Sequence, residues 1–238
     1  MSGAPRARIL FGILLVTALL LPGAAFAQTV SFAGKQIKIL IGFSPTGFGY
    51  DTYGRLLARH LGKYLPGNPI IVPQNRPGAG SLNLANYLFN AAPKDGTEIA
   101  IVGRGVAMEP LLGGAASQAK FDSSKFAWLG SMNNEVSGFY IRQPGPASTL
   151  QQVLEMIFSR QSMGRPLVAP PGLDPRIVDL LRKGIADAMR DPQLIEEGER
   201  IGLELNFVGG TDVQAMIDRL YQAPADVIAR AQAIATAN

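Results

Sequence analysis

The 238-residue chain has no cysteine, one histidine and one tryptophan. Without cysteine there is no disulfide scaffold, no thiolate zinc site and no thiol nucleophile. The single histidine, His60, excludes a multi-histidine metal centre and most histidine-based triads. Charge is scarce as well: 17% of residues are Asp, Glu, Lys or Arg, against 47% hydrophobic. The formal charge is +4, but Arg6 and Arg8 are two of the 22 basic residues; without them 20 basic residues face 18 acidic ones, or +2. Such a balance gives no basis for nucleic-acid binding. The composition is that of a globular chain, and 27 Gly with 17 Pro interrupt it too often for a long coiled coil.

The one long apolar run is N-terminal. Residues 1–8 carry Arg6 and Arg8 and no acid, Ile9–Leu21 has only Thr17 as a polar residue, and Pro22-Gly23 breaks it. Ala25-Phe26-Ala27 then places small residues at the −3 and −1 positions before Gln28. This is the plan of a secretory signal peptide over residues 1–27, cut after Ala27, and it predicts a periplasmic chain. Thirteen residues are too few to cross a bilayer, which needs about 20. No cysteine follows to carry a lipid anchor.

After that segment the pattern alternates between strand and helix. Ile37–Gly42 is β-branched and closed by glycine, as a buried parallel strand should be. Asp51 is expected to cap a helix running to about Lys63, with Tyr53, Leu56, Leu57, His60, Leu61 and Tyr64 on one face. Ile70–Val72 and Glu98–Val102 read as further strands and Ser81–Ala91 as a helix between them. Short loops join these elements, which predicts a doubly wound α/β layer. Trp128–Met132 and Val136–Arg142 are short strand candidates, and Leu150–Arg160 is a helix candidate. Pro166–Ala169 reads as extended, and Asp174-Pro175 and Asp191-Pro192 each open a helix with Asp as cap and Pro in the first turn. Leu203–Phe207 is a last strand candidate; Thr211 is expected to cap a helix ending near Tyr221, and Pro224 to open the final one.

Two glycine loops stand where open α/β sheets bind ligands, at the carboxyl ends of parallel strands and ahead of helix N-termini. The first is Phe43-Ser44-Pro45-Thr46-Gly47-Phe48-Gly49-Tyr50-Asp51 and the second Asn75-Arg76-Pro77-Gly78-Ala79-Gly80-Ser81. Free amides and the helix dipole favour an anion there, and glycine lets the backbone approach it. The spacing does not fit a dinucleotide loop, because Thr52 stands where a third glycine belongs and no acid closes the second strand. Arg104 lies after the third strand, at the same sheet edge. His60 falls on the apolar stripe of its helix and reads as a satisfied, partly buried side chain.

Gly42-Phe43-x-Pro45-x-Gly47-x-x-x-Asp51, then Asn75-Arg76-Pro77-Gly78-Ala79-Gly80, then Ala92-Pro93-x-Asp95-Gly96-Thr97 resemble the extracytoplasmic solute receptors of tripartite tricarboxylate transporters, the Bug or TctC family. Val168-Ala169-Pro170-Pro171-Gly172 ahead of the Asp174 helix, and the Asp191-Pro192 restart, fit as well. The resemblance covers about Ile37–Met132 and Gly164–Ala225. It implies a type II periplasmic-binding-protein fold, a small carboxylate ligand and the permease subunits of a tripartite transporter as partners. It implies no reaction, so no catalytic residue, cofactor or metal is expected.

The chain departs from the family in one place. Two α/β lobes are usual, yet here Ser148-Thr149-Leu150 passes almost directly to Gly164-Arg165-Pro166, so the second lobe is expected to be truncated. The expected organisation is a first lobe over 28–125, crossover strands with a remnant second lobe over 126–164, and C-terminal helices over 165–238 packing back on the first lobe. The expected ligand contacts are Ser44, Pro45, Thr46, Gly47, Phe48, Gly49, Asp51, Gly78, Ala79, Gly80, Ser81 and Arg104, mostly through backbone amides. Two other readings stay open on the residues alone: a secreted esterase-like α/β enzyme using His60, and a fragment that binds nothing.

Overall fold

The computed structural model describes residues 30–45, 49–135 and 163–236. The expected signal peptide, the Val136–Arg142 strand and the Leu150–Arg160 helix lie outside the described residues, as do Thr46, Gly47 and Phe48 of the first loop.

Six strands form one mixed sheet: β1 (Gln36–Ile41), β2 (Ile70–Asn75), β3 (Glu98–Ile101), β4 (Ala127–Ser131), β5 (Pro166–Ala169) and β6 (Val208–Gly209), in the order β2-β1-β3-β5-β4-β6. The first three pair in parallel, Ile39 of β1 lying between Pro73 of β2 and Ile99 of β3. β5 then inserts antiparallel between β3 and β4, and β6 closes the far edge antiparallel to β4. Pro73 is tolerated because β2 is an edge strand, where the missing N–H costs no ladder bond.

Seven helices cover both faces among the described residues: α1 (Tyr50–Leu61), α2 (Leu82–Asn90), α3 (Glu109–Leu112), α4 (Pro175–Ala188), α5 (Pro192–Arg200), α6 (Gly210–Tyr221) and α7 (Ala225–Thr236). Apolar residues lie on both faces of the sheet because successive side chains enter different cores. Ile37, Ile39, Ile41, Ile99, Ile101, Leu129 and Leu167 pack beneath α1, α4 and α5. Leu40, Ala100, Val102, Trp128 and Val168 face α2, α6 and α7 on the other side. Gly54 brings α1 down onto β1, since a Cβ there would stand 2.8 Å from Ile41 Cδ1.

The two Asp-Pro starts behave as expected. Asp174 accepts from the Arg176 amide at 2.8 Å and Asp191 from the Gln193 amide at 3.0 Å, each with proline in the first turn. Three expectations are corrected. Asp51 does not cap α1: Gly49 does, at φ 66°, and Asp51 lies inside the first turn, buried. Thr211 does not cap α6 either; the cap is Gly209 and the helix begins at Gly210. The Leu203–Phe207 strand is replaced by an irregular run, with β6 confined to the next two residues. Its alternation is real in the packing, because Leu203, Leu205 and Phe207 all lean on the α1 core. The backbone pairs with no strand there; instead the Glu204 carbonyl accepts the Tyr53 hydroxyl at 2.8 Å.

Candidate functional site

The loops after β1, β2 and β3 converge at one sheet edge, and small residues hold them in contact. Ser81 is fully buried; its hydroxyl donates to the Gly42 carbonyl at 3.3 Å and accepts the Gly103 amide at 3.0 Å. A Cβ on Gly42 would lie 2.2 Å from Ser81 Oγ, and one on Gly103 would lie 2.9 Å from the Gly80 carbonyl. The three loops therefore interlock without room for a methyl group. This corrects part of the expected role of Ser81: its hydroxyl is committed to this clasp, and its amide donates to the Gly78 carbonyl at 3.0 Å.

The second loop has an unusual backbone. Gly78, Ala79, Gly80 and Ser81 all have positive φ, at 146°, 47°, 59° and 80°. For Ala79 and Ser81 a left-handed conformation costs about 1–2 kcal/mol each, and such strain gathers at ligand sites when the surroundings enforce it. A Cβ on Gly78 would meet Asn83 Nδ2 at 2.4 Å and push that exposed side chain aside, and φ 146° favours glycine there.

Asn75 ties the two loops together. Its amide nitrogen donates to the Phe43 carbonyl at 2.8 Å and to Asp51 Oδ1 at 2.7 Å, while its Oδ1 accepts Arg55 Nη2 at 2.6 Å. Arg55 Nε donates to both Asp51 oxygens at 3.0 Å. Asp51 thus anchors the root of the first loop from below rather than meeting solvent. Arg76 is engaged too, its guanidinium 3.7 Å from the Tyr87 ring centroid and its amide on the Ile41 carbonyl at 2.7 Å. Ser44 and Pro45 are exposed at the end of β1.

Beside these loops stands a charged cluster. Arg104 and Arg165 each place Nη1 on one oxygen of Glu135. Arg165 lies 4.4 Å from the Tyr50 ring centroid and 5.2 Å from that of Tyr53. Tyr50 in turn stacks on Phe43 at 4.1 Å and accepts the Arg104 amide at 3.1 Å. Burial pushes the Tyr53 phenol up, which keeps it a neutral donor. Sequence reading found Arg104 and missed Arg165 and Glu135. Arg165 reaches this edge only because β5 runs antiparallel, so the residue preceding it meets the residues following β4. The Gly164-Arg165-Pro166 junction carried the signal, but only for a reader who knew the strand direction.

His60 sits elsewhere, between two carboxylates: Nδ1 is 3.3 Å from Asp191 Oδ2 and Nε2 is 2.8 Å from Glu197 Oε2. Neither ring nitrogen meets a hydroxyl among the described residues, so the satisfied reading of His60 holds and no nucleophile–base pair forms through it.

The sheet order, with one antiparallel strand returning between β3 and β4, together with the interlocked loops at its edge, defines a periplasmic-binding-protein-like α/β fold. Solved structures of that class match it. The periplasmic binding protein BugD is 15% identical, with a TM-score of 0.56 over 82% of this chain and 97% of its own. A TctC solute binding protein from Polaromonas, solved without ligand, is 16% identical, with a TM-score of 0.58 over 84% of this chain and 97% of its own. MatC from Rhodopseudomonas palustris, solved with bound malate, is 13% identical, with a TM-score of 0.53 over 84% of this chain and 99% of its own. At such identities the likeness is one of fold. No family model matches the chain, and neither does any curated protein.

Proposed function

We propose that this chain is an exported solute receptor that captures a small carboxylate and delivers it to the permease of a tripartite tricarboxylate-type transporter. The observation that carries the reading is the left-handed Gly78–Ser81 loop, held against Gly42 and Gly103 at the carboxyl edge of the parallel strands. With the Ser81 amide committed internally, the amides of Gly78, Ala79 and Gly80 are, among the described residues, the ones left to meet an anion, and the loop that begins at Ser44 follows the neighbouring parallel strand β1. Malate in MatC is a ligand of the same chemical kind. The receptor performs no reaction, and it reaches the periplasm by cleavage after Ala27.

The second lobe is truncated. The chain leaves the sheet at Ser131 and re-enters at Pro166, so the whole excursion has only residues 132–165 in which to build a facing wall. A lobe of the length expected for the first, 28–125, would need about three times as many residues. Closure in a two-lobe receptor buries the ligand from both sides. Losing about 3–4 kcal/mol of such contacts weakens binding by a factor of several hundred, at about 1.4 kcal/mol per tenfold.

Thermal unfolding of the purified chain across a panel of mono-, di- and tricarboxylates tests the reading, since a ligand that binds only the folded state raises Tm. The expectation is a rise for at least one carboxylate at millimolar concentration and none for matched neutral amides. Equal behaviour of acids and amides at all concentrations would remove the receptor reading.

A further inference from the structure

The Arg104–Glu135–Arg165 cluster is the one place in the described structure where two arginines share a single carboxylate beside the candidate loops. We propose that Glu135 is an internal stand-in for the ligand: its carboxylate occupies the position that a ligand carboxylate takes between the two guanidinium groups, and binding exchanges one for the other. The proposal rests on the receptor reading and adds to it the residues that recognise charge.

Several observations support it. Arg165 is held from both ends, so the cation is presented in a fixed place. Its amide donates to Ser131 Oγ at 3.0 Å and its carbonyl accepts the Met132 amide at 3.1 Å, while its guanidinium lies over Tyr50 and Tyr53. Glu135 follows the last backbone bond described between the two strands' extensions, in which the Gly164 amide donates to the Asn133 carbonyl at 3.0 Å. Arg165 is therefore fixed by the fold, whereas the Glu135 side chain is hydrogen-bonded among the described residues only to the two guanidinium groups it would release.

The corner also holds polar atoms in need of partners. Arg165 Nε and Asn133 Oδ1 are buried without a hydrogen bond among the described residues. Buried polar groups are nearly always satisfied; the Arg165 Nε donor is one that a carboxylate completes, whereas the Asn133 Oδ1 acceptor is not. A carboxylate seated more deeply than Glu135 would give Arg165 Nε its acceptor in the side-on, two-point geometry that guanidinium groups favour. Lastly, Arg104 follows Gly103, whose amide donates to Ser81 Oγ at 3.0 Å, so the cluster begins one residue from the clasp of the second loop. Partial exposure of the side chains, 37% for Arg104, 25% for Glu135 and 16% for Arg165, leaves the exchange open to a solute.

A built-in competitor lowers apparent affinity by the fraction of time it vacates the site. Glu135→Gln should therefore tighten succinate binding by about tenfold or more, measured by calorimetric titration of the exported chain. Acetate should gain as well, because the exchange concerns one carboxylate. The Glu135→Gln/Arg104→Gln double variant, changed at the more exposed arginine so that folding is spared, should lose that gain, and Tm measured alongside checks the fold. Should wild type bind succinate while Glu135→Gln leaves its affinity unchanged, or should the double variant keep the gain, the stand-in is refuted and the receptor reading survives. If neither wild type nor Glu135→Gln binds any carboxylate of the panel, both fail together.

Discussion

Replacing Ser81 probes the clasp that brings three loops to one edge. Ser81→Ala removes a hydroxyl that serves two buried backbone groups, the Gly42 carbonyl and the Gly103 amide, and no other hydrogen bond reaches either of them among the described residues. A buried group left unsatisfied costs about 1–3 kcal/mol. The Gly103 bond at 3.0 Å should count in full and the longer one to Gly42 in part, for a total of about 2–4 kcal/mol. In a chain of this size 1 kcal/mol moves Tm by about 2–4 °C, so the midpoint should fall by roughly 5–15 °C. Ser81→Gly separates this cause from ordinary helix propensity. It also loses the hydroxyl, but at φ 80° it relieves left-handed strain worth about 1–2 kcal/mol. After glycine's extra unfolded-state entropy of about 0.5–1 kcal/mol, it should be as stable as the alanine variant or more so, the reverse of the usual order in a helix turn. Differential scanning calorimetry of both variants decides. An alanine variant within 2 °C of wild type, or a glycine variant clearly less stable than the alanine variant, would refute the reasoning.

Gly78→Val should abolish carboxylate binding, since a branched side chain cannot hold φ 146° and would strike Asn83, whereas Ser44→Ala should cost only about 0.5–1.5 kcal/mol of binding; normal titration of the valine variant would contradict this. Acid stability should depend on Asp191. Desolvation pushes its carboxyl up, but the Lys63 ammonium and the Gln193 amide outweigh it and hold the group below the usual carboxylate range. A depressed folded pKa contributes stability above the unfolded value of about 4, and that contribution is lost as pH falls through the folded value. Asp191→Asn should therefore lower Tm at pH 7 and flatten its decline below about pH 4, read from Tm against pH. Glu197, held low first by His60 and then by Arg59, acts with the same sign. Periplasmic material should begin at Gln28 on N-terminal sequencing; an intact Met1 would remove the export reading.

Legibility followed the range of the interactions. Strands β1 and β3 to β5 were readable because burial writes apolar runs into the chain, β2 was readable from its β-branched Ile70–Val72 although it is an edge strand, and the Asp-Pro helix starts were readable because a cap is satisfied two residues away. Asp51 misled for the opposite reason. Its position ahead of a helical stripe looks like a cap, but Asn75, 24 residues on, draws it into a buried network, and Gly49 takes the cap through its positive φ. Leu203–Phe207 shows that alternation records which side chains are buried and says nothing of whether a neighbouring strand accepts the backbone. The candidate loops were legible from glycine spacing at strand ends. The Arg104–Glu135–Arg165 cluster was only one-third legible, because it depends on one strand returning antiparallel from a distant part of the chain.

The central claim is that the second loop's amides and their arginine neighbours hold a carboxylate. Heteronuclear NMR of the nitrogen-15-labelled chain, titrated with succinate, reads those amides one by one. The account predicts saturable shifts at Gly78, Ala79, Gly80 and Arg104 that are absent with succinamide. Shifts confined to residues distant from this edge, or no shift with any acid, would contradict it.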